Sequence, residues 1–301
     1  MIFADSHAHL SLVAEEIGRE KLAAILDSYS KAYAEADLEG RPGPIVLDPG
    51  VDPGDLMARL SLLDGGGGLP PFLRLAAGAW PSAENLAAPA ASVASLATAV
   101  DAIARRGIGL AAIGEGGLDY HHMDGSKAAQ AELFEGQIAL ASGLGLPLIV
   151  HSRDAAADTL SLIERARLSA PVIIHCFGYG VEEARALLDL GCWISFAGNL
   201  TYKNSGVLRE ACALVPEDRF LLETDSPYMN PVPHRGKSAT PLDIERTYAC
   251  AAELRGVGVP ELAAAVSRNA HLLFDRHDLS GNDSRTRVPT PGFEPKRTVP
   301  P

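Results

Sequence analysis

The feature that most constrains this chain is a repeated beat. Short apolar, β-rich runs recur along it, each followed by a helical pattern. The runs span residues 2–9, 44–48, 72–78, 110–114, 146–150, 171–175, 192–196 and 219–223. Helical patterns lie near 15–38, 53–63, 85–106 and 127–142, and two more, near 242–254 and 260–274, close the series. Eight strands alternating with helices predict an α/β fold whose parallel sheet closes into a (β/α)8 barrel of the TIM type. A doubly wound open sheet is the alternative, but no Gly-x-Gly-x-x-Gly follows the first run. The reading is a single domain over residues 1–276. Residues 277–301 carry Pro289, Pro291, Pro295, Pro300 and Pro301 without periodicity, which predicts a disordered tail.

At 301 residues, 47% hydrophobic and 21% charged, the chain is long enough to bury a core of barrel size. Its formal net charge of −12 argues against a broad basic footprint on duplex nucleic acid. It leaves room for an anionic substrate held through metal ions, because bound cations dominate their local field. Cys176, Cys192, Cys212 and Cys250 form no CxxC pair and read as reduced thiols of a cytoplasmic protein. Asp5 and two histidines interrupt the first ten residues, so no signal peptide is expected. The uncharged stretch 86–100 contains Pro89 and is too short to span a bilayer. The run Gly65–Gly68 lacks the GK[ST] ending of a phosphate-binding loop and reads as a flexible connection. A soluble, cytoplasmic monomer is the default expectation.

In such barrels the chemistry sits at the carboxyl ends of the strands. Those ends here carry His7 and His9, Glu115, His151, His175 and Asp225. Asp5, His7 and His9 alternate onto one face of an extended segment. Four imidazoles and two carboxylates exceed what one ion with open positions needs. A carboxylate can bridge two cations, and Glu115 is placed to do so. Two ions roughly 3.5–4 Å apart then clamp a phosphoryl oxygen and acidify a water, which Asp225 orients or deprotonates. Asp5 and Glu223 are candidates to support the ligands from behind. Arg153 follows His151 by two and is placed to fork onto a phosphate. Tyr120 and Phe177 are candidate base-stacking rings. His234 and Arg235, with Lys237, form the one compact basic cluster on an expected top loop. His121, His122, His271 and His277 read as non-ligands.

These motifs resemble the TatD family of metal-dependent deoxyribonucleases, among the amidohydrolase-like barrels. The matching stretches are Asp5-Ser6-His7-Ala8-His9, residues 114–120, His151-Ser152-Arg153, His175-Cys176-Phe177 and residues 223–228, with lesser matches at 195–203 and 268–270. The resemblance covers nearly all of residues 1–275. It implies that His7, His9 and Asp225 hold one metal and that His151 and His175 hold the second, with Glu115 bridging. It also implies hydrolysis of phosphodiester bonds in DNA, commonly from the 3′ end of single strands; the mixed ligands themselves suit two divalent ions, Mg²⁺, Mn²⁺ or Zn²⁺, without selecting one. The chain departs from the family pattern at Gly78-Ala79-Trp80-Pro81, where Gly-x-His-Pro is usual. It departs again at Ser238-Ala239-Thr240-Pro241 after Arg235-Gly236-Lys237, and at Gly116, where an aliphatic residue is usual. The first two lie where substrate would be gripped. The alternative is an amide or ester hydrolase of the wider superfamily, including removal of an amino acid from tRNA. Many binuclear amidohydrolases use a carbamylated lysine as bridge; Glu115 stands in that place here, which favours the nuclease branch.

Overall fold

A computed structural model describes residues 1–64 and 68–275 of the chain. The expected glycine-run connection, for Gly65–Gly67, and the expected tail with His277 lie outside the described residues. Seven strands form one sheet: β1 Val46–Asp48, β2 Leu73–Ala77, β3 Ala112–Asp119, β4 Leu148–Arg153, β5 Val172–Ile174, β6 Trp193–Phe196 and β7 Phe220–Leu222. Each pairs in parallel with the next in sequence, so every carboxyl end faces the same way. Most strand residues are buried on both faces, which is why the runs read as unbroken apolar segments instead of alternating ones.

The first expected strand is corrected. Residues 5–9 make isolated bridges, Asp5 with Val46 and Ala8 with Ser226, and no full ladder. They nevertheless join the two edges of the sheet. On one side the Asp5 and Ala8 N–H groups donate to Ile45 and Leu47 at 2.8 and 2.9 Å. On the other, Ser6 and His9 N–H donate to Leu222 and Ser226 at 3.1 and 2.8 Å. Both neighbouring strands are only three residues long, and a helix starts at Leu10, so no longer ladder can form.

Two helical expectations are also corrected. The segment 85–106 is two helices, Ala83–Ala87 and Pro89–Ala104, because Pro89 has no N–H to donate and disfavours helical geometry in Ala88. The segment from 15 to 38 is divided at Gly18, whose φ is +89°, into Leu10–Ile17 and Arg19–Leu38. The helix Lys127–Leu144 bears on the site. Ser126 caps its start by accepting from Ala129 N–H, and Gly145, at φ +66°, ends it. It buries Gln130, Leu133, Phe134, Gln137, Ile138 and Ala141 at helical spacing against β3. All four cysteines are unpaired, as expected. Among the described residues no helix is long and apolar enough to cross a membrane.

Candidate metal centre

β3 departs from the expectation that it ends at Gly114. It runs on to Asp119, with a shift of register between Ile113↔Leu148 and Gly116↔Val150 that gives β3 one extra residue. Such a bulge re-aims a side chain, and the side chain re-aimed here is Glu115. Its N–H donates to Gly50 O at 2.8 Å, while Gly50 N–H donates to Gly114 O at 3.0 Å, so the turn after β1 holds the bulge. Gly117, at φ +147°, is required just beyond it, since a Cβ there would run into the His151 carbonyl.

Glu115 stands between two groups of histidines. Its Oε2 lies 2.7 Å from His7 Nε2 and 3.4 Å from His9 Nε2. Its Oε1 lies 3.6 Å from both His151 Nδ1 and His175 Nε2. Asp225 Oδ1 completes the ring, 3.4 Å from His9 Nε2 and 3.9 Å from His7 Nε2. His7 and His175 stack with centroids 4.0 Å apart. Three overlapping sets, His7–His9–Glu115, His7–His175–Asp225 and Glu115–His151–His175, each bring their donor atoms within 4.8 Å of one another.

Burial alone would raise the Glu115 carboxyl, but His175, His7 and His9 hold it well below the usual carboxylate range. Asp225 is lowered in the same way, against burial, by its hydrogen bond with His9 and by the His175 charge. Burial would lower His175; Glu115 and the hydrogen bond to Glu223 override it and carry the imidazole up to about 9. His7 is pushed down by burial and by His175 beside it. Imidazole nitrogen with carboxylate oxygen is the donor mix of borderline divalent ions. Gathering these groups out of water is costly unless a cation meets their lone pairs. The residues present fit divalent metal.

The supporting residues divide. Glu223 is fully buried and accepts from His175 Nδ1 at 3.3 Å and from Cys176 N–H at 2.7 Å, fixing the ring that faces Glu115. Asp5 touches no imidazole. It accepts from the backbone of His7 at 3.2 Å and from Thr224 N–H and Oγ1 at 2.9 and 2.6 Å, tying the His7 segment to the Asp225 segment. Burial pushes its carboxyl up to about 8 despite those bonds. Asp119 has no counterpart among the expected roles. It accepts from His151 Nε2 at 3.0 Å and from His122 Nδ1 at 2.9 Å, which leaves His151 Nδ1 facing the centre. The signal for it is parity, since Glu115, Gly117 and Asp119 alternate along β3.

Above the centre opens a cavity of about 780 Å³. Its walls include Trp80, Arg153, Tyr202, Tyr228 and Arg235. Arg235 packs over the Tyr202 ring at 4.4 Å. Three expected substrate contacts are not brought here. Phe177 is fully buried against Phe196 and Tyr179 and belongs to the core. Tyr120 turns away: its hydroxyl donates to Asp158 at 2.7 Å and Lys127 Nζ covers its ring at 3.8 Å. His234 also stands outside the cavity walls. His121 pairs with Asp154, and His271 with Gly43 and Asp275, away from the six converging residues.

Known proteins share both sequence and shape with this chain. A stretch of 167 residues is 44% identical to an uncharacterized metal-dependent hydrolase, YcfH, of Escherichia coli, covering 55% of this chain and 63% of that protein. A stretch of 164 residues is 39% identical to the uncharacterized metal-dependent hydrolase YabD of Bacillus subtilis, covering 54% and 64%. The matches thus span less than two thirds of these relatives. The crystal structure of YJJV, a TatD homologue from Escherichia coli, superposes with a TM-score of 0.72 at 26% identity over 91% of this chain and 98% of that one. An organophosphorus hydrolase from Deinococcus radiodurans, at 16% identity and a TM-score of 0.62 over 90% and 92%, shares the fold alone. The profile of the family described as TatD related DNase matches residues 4–275, nearly the whole described chain. The chain belongs to the TatD family of metal-dependent hydrolases.

Proposed function

We propose that this chain hydrolyses phosphodiester bonds at the ends of single-stranded DNA, using two divalent ions drawn from Mg²⁺, Mn²⁺ and Zn²⁺. The observation that carries this reading is the position of Glu115, whose two oxygens face different histidine pairs. His7, His9 and Asp225 would hold one ion and His151 and His175 the other, with Glu115 shared. When bound, such ions supply Lewis acidity toward a phosphoryl oxygen and a water that ionises near neutrality.

The chain's own residues do the rest. Asp225, ionised because His9 and His175 outweigh its burial, orients the attacking water and takes its proton. Glu223 and Asp119 keep His175 and His151 from rotating off their positions. Arg153 and Arg235 line the cavity, Arg235 over the Tyr202 ring, and among the described residues neither is paired with a carboxylate. They suit the non-bridging oxygens of a phosphate, which a fork of N–H donors grips in two places. A cavity of about 780 Å³ lies within the roughly 300–1,000 Å³ of small-ligand sites, a size that suits a strand end. The four unpaired cysteines favour the cytoplasm as its compartment.

The deciding assay uses end-labelled single- and double-stranded DNA under Mg²⁺, Mn²⁺ or Zn²⁺, with Asp225→Asn as control. Release of nucleotides from single strands by the natural chain, and its loss in Asp225→Asn, is the expected outcome. Failure under every metal, with turnover of an acyl ester, an amide or aminoacyl-tRNA instead, would overturn the proposal in favour of the acyl-hydrolase branch.

A further inference from the structure

Gly116 and Trp80, at two of the places where this chain leaves its family's pattern, meet through one side chain. A Cβ at Gly116 would fall inside the Gln137 amide, so only glycine leaves room for it. Gln137 is completely buried. Its Nε2 donates to Ala79 O at 2.9 Å and its Oε1 accepts from Ala79 N–H at 2.9 Å, so one amide satisfies both backbone groups of the residue before Trp80. The Trp80 backbone is held as firmly: its N–H donates to Val51 O at 2.9 Å, and its carbonyl accepts from Asn85 Nδ2 at 2.9 Å and Ser82 N–H at 2.7 Å. A buried amide is tolerated only when it is hydrogen-bonded, and here both its donor and its acceptor end bond the backbone of this turn.

What the turn presents is an indole at the cavity wall. Trp80 is partly exposed, and the rings of His151 and His122 stand nearly perpendicular to it at 5.8 and 5.9 Å. Its indole N–H has no partner among the described residues. Arg153, two residues beyond His151 on β4, lines the same cavity, as does Arg235. An indole on a fixed backbone, two cations without carboxylate partners among the described residues and a metal-fitting floor suit a flat ring joined to a phosphate. A bare phosphate or an alkyl ester would leave the indole unused.

We propose that Trp80 is a stacking platform for the base beside the phosphate that is cut, and that Gln137 is the residue that positions it. The inference rests on the phosphodiesterase reading for its substrate, but the stacking itself is measurable without turnover. The natural chain therefore prefers base-bearing single-stranded ends to ends whose terminal nucleotide is abasic. Base-on-aromatic stacking sets that preference at roughly 5- to 150-fold in kcat/KM.

The test compares oligonucleotides with base-bearing and tetrahydrofuran-abasic termini. In Trp80→Ala the preference should fall to near one, chiefly through KM, with metal content intact. Trp80→Phe should retain most of it. Gln137→Leu should lower it less, and Trp80→Ala/Gln137→Leu no further than Trp80→Ala alone, since Gln137 acts only through the indole. Trp80 and Trp193 are the chain's two tryptophans, and Trp193 is buried. Deoxyadenosine monophosphate should therefore quench emission, deoxyribose 5-phosphate should not, and Trp80→Phe should abolish the quench. A quench that persists in a chain unable to cut DNA leaves the stacking standing and removes the nuclease reading. DNA cleavage with the same base preference in Trp80→Ala as in the natural chain overturns the stacking proposal and leaves the nuclease reading intact.

Discussion

The floor of the cavity and its rim differ in what fixes their side chains. On the floor, His7, His9, Glu115, His175 and Asp225 are all buried, and each is carried by backbone bonded into or directly beside the sheet. At the rim, Tyr228 is 53% exposed and Arg235 is exposed on a loop. The floor is held by many mutually dependent contacts, whereas at the rim Tyr228 and Arg235 have few and the Trp80 turn is fixed by buried hydrogen bonds. Changes to the floor should therefore act on metal and on every substrate alike, whereas changes to the rim should act on selectivity. The contrast breaks if a floor variant spares some substrates or if a rim variant loses metal.

The largest effect is expected at Glu115, which both histidine groups share. Glu115→Gln should lower kcat/KM by roughly a thousandfold or more, as when a member of a unit that acts together is removed. Elemental analysis should show metal lost in parallel. Full metal content with low activity would take the bridging role away from Glu115 and divide the floor into two independent sites. Behind it, Glu223→Gln keeps the size of the side chain and removes the charge that His175 Nδ1 donates to. Loss of such a partner typically weakens metal affinity about 10- to 100-fold. Equilibrium dialysis against a metal buffer measures it, and an unchanged affinity would make Glu223 a packing residue only.

Protons compete for the same floor. Burial would lower His175, yet Glu115 and Glu223 carry it from 6.5 up to about 9. A metal ligand must be the neutral imidazole, so below about 9 metal has to displace a proton. Apparent metal affinity should rise with pH through the neutral range, by up to about tenfold per unit for this group, and flatten above 9. Without metal the sign reverses. A folded value raised above the unfolded one stabilises the protein fully below about 6.5, and that contribution is lost as pH climbs through about 9. Calorimetry in buffers of different ionisation enthalpy counts the released protons. None released at pH 7 would contradict this account of the floor.

The same contrast explains what the sequence disclosed. Few residue types ligate divalent metal, so histidines and carboxylates at strand ends announced the floor, and the repeated beat announced the parallel sheet. Aromatic character beside a strand end is a poorer guide. It makes Phe177 a candidate base-stacking ring, but Cys176 adopts φ +43°, Phe177 N–H donates to Ser195 O and the ring packs in the core. Asp119 lies past the apolar run that marks β3: the strand outlasts that run because glycines at 116 and 117, poor strand formers alone, let it pack against Gln137 and β4. The short first strand has no local mark, since its length is set by neighbours distant in sequence.

The smallest effect is expected at Tyr120, which follows the last residue of β3 and by position belongs to the cavity mouth. Its hydroxyl is bonded to Asp158 and its ring is covered by Lys127, so it faces the helices and not the cavity. Tyr120→Phe removes one hydrogen bond at a partly exposed site, worth less than about 1 kcal/mol of stability. It should leave kcat/KM on single-stranded ends and the base-to-abasic preference within twofold of the natural chain. Trp80 and Tyr120 are both aromatic and both follow a strand end, so a composition argument treats them alike. Only the Gln137 clamp and the Lys127 cover separate them. A tenfold loss of activity in Tyr120→Phe would mean that the ring reaches the substrate, and the boundary between rim and outer surface drawn through β3 would have to move.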